Sequence, residues 1–314
     1  MSEQPPTPPV GVAPPSVSEM QTRAEEALRQ IAPVTDELGR RFADAGEEIA
    51  LVGGPVRDAM LGRRQLDLDF TTSARPETTE RLLKGWADAI WDMGRDFGTI
   101  GCRKGEWTVE ITTYRSEEYD ATSRKPDVDY GDSLVADLQR RDFSVNSMAL
   151  TVPDRGFEDP FGGLVDLANR TLRTPGRPED SFSDDPLRMM RAARFAAQLG
   201  FEVAPEVVAA MTEMASRIEI ISAERVRDEL VKLVCAPHPR LGLLLPRDFL
   251  PRVQGSDVAR PLSDWVLRAA IRDASSWLPN RMGSPWTRGM MASALVSGFL
   301  IASKAPSLKI GQFW

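Results

Sequence analysis

The segment LVGGPVRDAMLGRRQLDLDF, residues 51–70, sets a Gly-Gly pair ahead of two aspartates separated by one leucine. EIALV (48–52) reads as a strand running into Gly53-Gly54, and PVRDAML (55–61) as a short helix ended by Gly62. LDLDF (66–70) alternates apolar and acidic residues, the two-residue period of a strand. Leu66, Leu68 and Phe70 then face one way and Asp67 and Asp69 the other, the two carboxylates roughly 7 Å apart. Such a pair suits a hard divalent cation, since Mg²⁺ takes oxygens from one or two carboxylates plus substrate phosphates. The Gly-Gly turn lets backbone N–H groups approach a phosphate. The helix start adds a positive dipole end, and Arg57 can neutralise phosphate charge. One half of the segment is thus suited to a triphosphate and the other to the metal that activates it. The plain alternative is a turn, a short helix and an edge strand with solvated aspartates. This stretch alone leaves both open.

TIGCRKGEWTVEITTYR (99–115) reads as a hairpin turning at Lys104-Gly105. Within it Glu110 lies on the face opposite Val109 and Ile111. If this strand pairs beside LDLDF, Glu110 completes an acidic triad, one member of which can act as general base. The alternative is an exposed strand glutamate. Residues 19–45 have helical spacing interrupted at Pro33, and 78–88 reads as a helix. SLVADLQRRDFSVNSMAL (133–150) is helical in its first half. Its Arg140-Arg141-Asp142-Phe143 suits phosphate or ribose contact, with Asp142 orienting one guanidinium; a solvated charge cluster is the alternative. FEDPFGGLVDL (157–167) is turn-rich and reads as a hinge. From Asp184 onward the pattern is mainly helical, over 184–199, 204–217 and 222–235.

SFSDDPLRMMRAARFAAQLGF (181–201) is the most directed stretch. Ser183 or Asp184 can cap a helix, Pro186 suits its first turn and Gly200 its end. Leu187, Met190, Ala193 and Ala197 form an apolar stripe; Asp185, Arg188, Arg191 and Arg194 form a second at spacing three. The alternative is a salt-bridged, solvated face. A carboxylate only accepts hydrogen bonds and a guanidinium only donates. Cytosine and adenine each offer an amino donor beside a ring-nitrogen acceptor, so Asp185 with Arg188 matches both. Uracil and guanine present the reverse order and leave buried groups unpaired, at about 1–3 kcal/mol each.

Composition bounds these readings. The chain has 314 residues, 42% of them hydrophobic and 27% charged, as in an ordinary folded protein. A net charge of −7 excludes a globally basic nucleic-acid coat, so contact with a polyanion needs a local basic surface. Cys102 and Cys235 form no C-x-x-C, and His238 is the single histidine. A multi-histidine metal site is excluded, and the cysteines fit a reducing compartment, the cytoplasm. The proline-rich start lacks the parts of a signal peptide. No 18-residue apolar run exists, and the longest candidate, 290–302, is too short, so no membrane span is expected. No G-x-G-x-x-G follows a strand, against a dinucleotide-binding oxidoreductase. The sequence does not give the oligomeric state.

In order along 50–240, GGPVRD, LDLDF, RRDFSVNSMAL, DDPLRMMRAARFAAQLGF and ISAERVRDELVKLV resemble the class II tRNA nucleotidyltransferases. These are the CCA-adding enzymes and the related bacterial poly(A) polymerases. The resemblance implies an α+β fold: a polymerase-β-like head with a small mixed sheet and helices, then an all-helical neck and body. With the proline-rich stretch read as a disordered leader (1–18), it implies a head (19–155) and a helical part with a base-reading helix (156–245); the tail (246–314) does not match the family and looks divergent and truncated. The resemblance implies CTP and ATP as substrates, Mg²⁺ as cofactor and the tRNA 3′ end as acceptor. By position, Asp67 and Asp69 hold the metal and Glu110 is the third acid. Gly53, Gly54, Arg57, Arg141 and Asp142 bind the nucleotide, Asp185 and Arg188 read its base, and Arg191 and Arg194 support binding. The Asp184-Asp185 pair departs from the Glu-Asp frequent in the family. The single histidine excludes the His-Asp phosphohydrolase domain that some members carry. Poly(A) addition, partial CC or A addition, or a non-catalytic nucleotide- or RNA-binding remnant remain open on these motifs.

Overall fold

The computed structural model describes residues 16–63, 65–114, 131, 133–243 and 245. The expected leader up to residue 15, the 290–302 segment and the tail from 246 lie outside the described residues. Helix α1 (Val17–Asp44) begins two residues before the expected start, at a reciprocal cap. Ser16 Oγ accepts from the Glu19 N–H, and Glu19 Oε2 accepts from the Ser16 N–H at 2.7 Å. The helix runs through Pro33, where the sequence predicts an interruption. A proline inside a helix costs roughly 3 kcal/mol. Here it sits on the exposed face, while Ile31 and Leu38 on either side of it are buried in one core.

Strand β1 (Ile49–Val52) leads into α2 (Gly54–Met60) and then β2 (Asp67–Thr72). Leu66 precedes β2 and is 46% exposed, so only Leu68 and Phe70 of the expected apolar face reach the core. Helix α3 (Pro76–Leu83) is shorter than predicted because Lys84 leaves helical geometry and the chain turns toward β3 (Ala89–Trp91). Strands β4 (Thr99–Lys104) and β5 (Trp107–Thr113) form the predicted hairpin. Its tip is Gly105-Glu106, one residue later than read, because Lys104 pairs with Trp107. Helix α4 (Leu134–Gln139), β6 (Ala149–Thr151), β7 (Phe157–Glu158) and α5 (Gly163–Ala168) follow.

Seven strands make one mixed sheet in the order β3-β4-β5-β2-β1-β6-β7. Every neighbouring pair is antiparallel except β2 and β5, which run parallel. Thus β2 is interior, not the edge strand of the plain alternative. One face, with Leu51, Leu68, Phe70, Val109 and Ile111, packs into the main core shared with α1 residues Leu38 and Phe42. The other face carries a small cluster of Ala50, Val52 and Ala149 under Leu138 of α4. Asp67, Asp69 and Glu110, all exposed, lie on this same face.

The remaining chain is mainly helical: α6 (Pro178–Asp184), α7 (Leu187–Leu199), α8 (Pro205–Glu213), α9 (Ala223–Val234) and α10 (Pro239–Leu243). A two-stranded parallel ladder of β8 (Thr171–Leu172) and β9 (Glu202–Val203) interrupts it. Helix α7 is central: Ala193 and Ala197 pack against Leu233 of α9. The stretch expected to be a hinge is tied at both ends. β7 pairs with β6, and Asp159 accepts from the N–H groups of Gly163 and Leu164 at 2.6 and 3.0 Å.

A Cβ on Gly163 would lie 2.2 Å from the Ser144 carbonyl oxygen and 2.8 Å from Met148 Cγ. Backbone cannot yield there cheaply, so Gly163→Ala should cost about 1–3 kcal/mol. Urea unfolding checks this; an unchanged midpoint would show that α5 does not fix the 144–148 turn.

Candidate active site

The site starts from the alternation of β2. Leu68 and Phe70 are 2% and 1% exposed, which forces Asp67 and Asp69 onto the opposite face. The parallel partner β5 sets Glu110 directly across from Asp69. Partial burial at the foot of a cleft raises the Asp69 carboxyl above its ordinary range. Glu110 and, more weakly, Asp67 push the same way, against Arg141 and Arg57. Among the described residues no three acidic, cysteine or histidine side chains converge closely enough to enclose an ion. The carboxylates that the fold places side by side on this face are Asp67 and Asp69, with Glu110 beside Asp69. Their all-oxygen chemistry and the net upward push on Asp69 fit Mg²⁺, which keeps waters and takes few protein carboxylates.

A cleft of about 440 Å³ opens over Asp69. Its walls are Gly53, Gly54 and Arg57 from the β1–α2 turn, Arg141, Asp142 and Asn146 after α4, and Asp185 to Gln198 around α7. Ten of the residues singled out in the sequence line it; Asp67 and Glu110 do not. Gly53 has φ 71° and ψ −131°, which side chains rarely adopt, and a Cβ there would lie 3.0 Å from Arg141 Nη1. The glycine therefore serves both the turn and the seat of Arg141.

The arginines are not a solvated face. Arg57 is 4% exposed and donates through Nε and Nη2 to the Asp58 carboxylate at 2.9 Å each, so part of its charge is already neutralised. Arg188 donates to the Arg140 carbonyl at 2.6 Å and to Ser181 Oγ at 2.9 Å. Arg191 donates through Nε to Asp142 at 2.7 Å, and Arg194 through Nε to Glu229 at 2.5 Å. The guanidinium carbons of Arg57, Arg191 and Arg194 lie 5.3, 5.6 and 3.9 Å from the centre of the Phe195 ring. That contact holds three cations together without neutralising them.

Asp142 does not orient its neighbours in the RRDF run, as the sequence suggested. It reaches Arg191, 49 residues away. Burial alone would raise its pKa, but Arg191 and the Asn146 amide outweigh burial and hold it below the usual range. Burial likewise pulls on Arg191, and Asp142 overcomes it, keeping that guanidinium firmly charged. Burial wins at Arg194, which Glu229 only partly restores. Arg141 donates to Asp137 at 3.2 Å and keeps a buried Nε without an acceptor.

Asp185 is not on the face of α7. It is extended, with φ −142° and ψ 100°, between the end of α6 and the start of α7. The N-cap of α7 is Pro186, not Ser183 or Asp184, and Asp185 Oδ1 accepts from the Leu187 N–H at 3.1 Å. Its Oδ2 accepts from Arg225 Nη2 at 3.0 Å. The Pro186 ring breaks the helix that spacing predicted as continuous from 184. Leu187, read from the sequence as part of an apolar stripe, also lines the cleft, as do Asn146, Phe195, Gln198 and Arg225, none of them read as a site residue. Asn146 and Arg225 stand inside the quoted RRDFSVN and ISAERVRDEL runs; Phe195 reads from sequence as core.

Residues 49–173 match the family model "Poly A polymerase head domain". Residues 200–249 match "Probable RNA and SrmB- binding site of polymerase A". A CCA-adding enzyme of Levilactobacillus brevis is 42% identical over 200 residues, 63% of this chain and 49% of that protein. One of Enterococcus faecalis is 36% identical over 265 residues, 82% of this chain and 63% of that protein. The chain thus spans about half the length of several curated relatives it matches. The crystal structure of the Bacillus stearothermophilus CCA-adding enzyme in complex with CTP aligns with TM-score 0.63 at 30% identity. That alignment covers 86% of this chain and 70% of the other.

Asp69 tests the electrostatics. Its folded pKa lies above the ordinary 3.8, so the ionised group costs stability, and the cost builds as pH rises from 3.8 through the folded value. Asp69→Asn should raise the melting temperature at pH 7 in a chelator, and added Mg²⁺ should narrow the gap by stabilising the wild type. Thermal shift at pH 7 decides; an unchanged or lowered melting temperature in chelator would remove the repulsion from the account.

Proposed function

The chain belongs to the family of CCA-adding enzymes and bacterial poly(A) polymerases, and we propose that it adds C and A to the 3′ end of tRNA, using CTP and ATP without a template. One observation carries this reading: a single cleft joins an acidic foot at Asp69 to an arginine wall that includes Asp185 and Arg188. Asp67 and Asp69 would hold Mg²⁺. When bound, the ion supplies positive charge to the triphosphate and lowers the pKa of the attacking hydroxyl.

The 3′-hydroxyl oxygen of tRNA bonds to the α-phosphorus, the bond to the β-phosphate bridge breaks and pyrophosphate leaves. Glu110, across from Asp69, is the acid available to take the hydroxyl proton. Gly53 and Gly54 let the phosphates approach backbone. Arg141, with its unpartnered Nε, and Arg57, with N–H groups left over from Asp58, grip them. The charge of Arg191, fixed by Asp142, adds to the same field.

Base choice falls to Asp185 and Arg188. Each oxygen of Asp185 has one partner, and a carboxylate accepts about four hydrogen bonds, so acceptor sites remain for an amino group. Arg188 supplies the donor for N3 of C or N1 of A. The match of 200–249 to a probable RNA-binding segment supports RNA as acceptor. The proposed compartment is the cytoplasm. Cys102 and Cys235 are both free, and burial pushes the Cys102 thiol up to about 12, which keeps it inert. Among the described residues no helix is long and apolar enough to cross a membrane.

Labelled CTP and ATP offered with tRNA transcripts ending before CC, after CC and after CCA should give extension to CCA and no further. Long A tails on the last transcript would assign poly(A) addition instead. Asp67→Ala or Asp69→Ala should stop incorporation of every nucleotide. Asp185→Ala should lower preference for C and A over U and G about ten- to hundredfold, the worth of one or two buried hydrogen bonds. A folded Asp185→Ala variant with wild-type preference would end the protein-template account.

A further inference from the structure

Asn146 has no assigned part in the reaction, yet it is 6% exposed, lines the cleft and bridges its two ends. Arg57 Nη1 donates to Asn146 Oδ1 at 2.6 Å. Asn146 Nδ2 donates to Asp142 Oδ1 at 2.8 Å, and the other oxygen of Asp142 accepts from Arg191. Asp58, Arg57, Asn146, Asp142 and Arg191 thus form one hydrogen-bonded chain. It runs from the helix behind the Gly-Gly turn to the helix beside the base-reading pair.

The orientation of the amide is forced. Its oxygen faces a cation that only donates, and its nitrogen faces an anion that only accepts. Turning the amide over would set donor against donor and acceptor against acceptor. Both bonds are charge-assisted, and linked hydrogen bonds in a buried setting strengthen one another. The turn that carries Asn146 is itself held: the Ser144 N–H donates to the Arg173 carbonyl at 2.7 Å, and Ser144 Oγ to Asp166 at 2.6 Å. The Phe195 ring also touches Arg57 and Arg191, but it passes no hydrogen bond between them.

We propose that Asn146 is a positioning residue that couples occupancy of the triphosphate end of the cleft to discrimination at the base end. A phosphate that draws on Arg57 tightens or loosens its bond to the Asn146 oxygen. The amide transmits that change to Asp142, and so to Arg191, which lies one helical turn beyond Arg188. Base choice is then stronger for a nucleotide that carries its triphosphate. The proposal rests on the nucleotidyltransferase reading of the cleft.

The test is equilibrium binding of CTP, UTP, CMP and UMP to the full chain in Mg²⁺ without tRNA. The readout is the C-over-U preference for triphosphates divided by that for monophosphates. For wild type the quotient should be about five- to tenfold, an ordinary size for coupling between sites. In Asn146→Leu, similar in size without donor or acceptor, it should fall to about one. In Asn146→Asp, which keeps the acceptor for Arg57 and loses the donor to Asp142, it should also fall to about one, with CTP binding weakened less than in the leucine variant. A merely structural role would weaken all four ligands alike and leave the quotient unchanged, which overturns the proposal. So does a wild-type quotient of one, which needs no variant to fold. Wild type that binds none of the four nucleotides would instead overturn the reading of the cleft on which the proposal rests.

Discussion

The parallel register of β2 against β5 is the constraint on which the rest depends. Strand side chains alternate, so a slip of one residue would turn Asp67 and Asp69 into the core and Leu68 and Phe70 out of it. Leu68, Phe70, Val109 and Ile111 are each at most 2% exposed. Fully burying such a side chain is worth about 1.5–3 kcal/mol, so a slip of β2, which turns out Leu68 and Phe70, would forfeit about 3–6 kcal/mol before the cost of burying two carboxylates. That is a large share of the whole stability of an ordinary domain. The acidic residues are therefore held in position by the apolar residues between them, and they need no favourable contacts of their own. Asp69 can carry a raised pKa because the strand it sits on is fixed by other side chains.

The cleft wall shows the opposite economy. Six arginines line it against three aspartates, a local concentration of basic side chains in a chain whose net charge is −7. Such crowding persists because each guanidinium is held by something other than its intended ligand. Asp58, Asp142 and Glu229 stand behind Arg57, Arg191 and Arg194, and the Phe195 ring lies among them. Removing one partner of a buried pair costs about 3–5 kcal/mol, because the other charge is left uncompensated. The acids behind the arginines thus matter to the cleft as much as the arginines that face it.

Much of this was legible in the sequence, and the pattern of what was not is physical. The alternation of LDLDF, the 99–115 hairpin and the amphipathic run after Pro186 are local periodicities, and each produced its element. The pairing of Glu110 with Asp69 was conditional on a strand order that periodicity does not encode. Partners distant in the chain were not legible: Asp142 with Arg191, Arg194 with Glu229 and Asp185 with Arg225 lie 49, 35 and 40 residues apart. Pro33 misled because local propensity was overridden by the core on either side of it. The β8–β9 ladder is two residues long on each strand, too short to show a period. Phe195 was invisible as a site residue because a buried aromatic on a helix has the same sequence signature whether it packs against methyl groups or guanidinia.

The break between α6 and α7 separates Asp185 from Arg188, the two residues proposed to read the base. Arg188 moves with α7, whereas Asp185 sits in a joint whose angle depends on how both helices pack. The distance between acceptor and donor is therefore a property of helix packing, not of either side chain. A substitution under α6 or along α9, where Arg225 anchors the joint, can alter that distance while leaving every residue that touches a base in place. Nucleotide preference in such a scaffold is free to drift through the core, and two chains with identical reading residues need not share one alphabet.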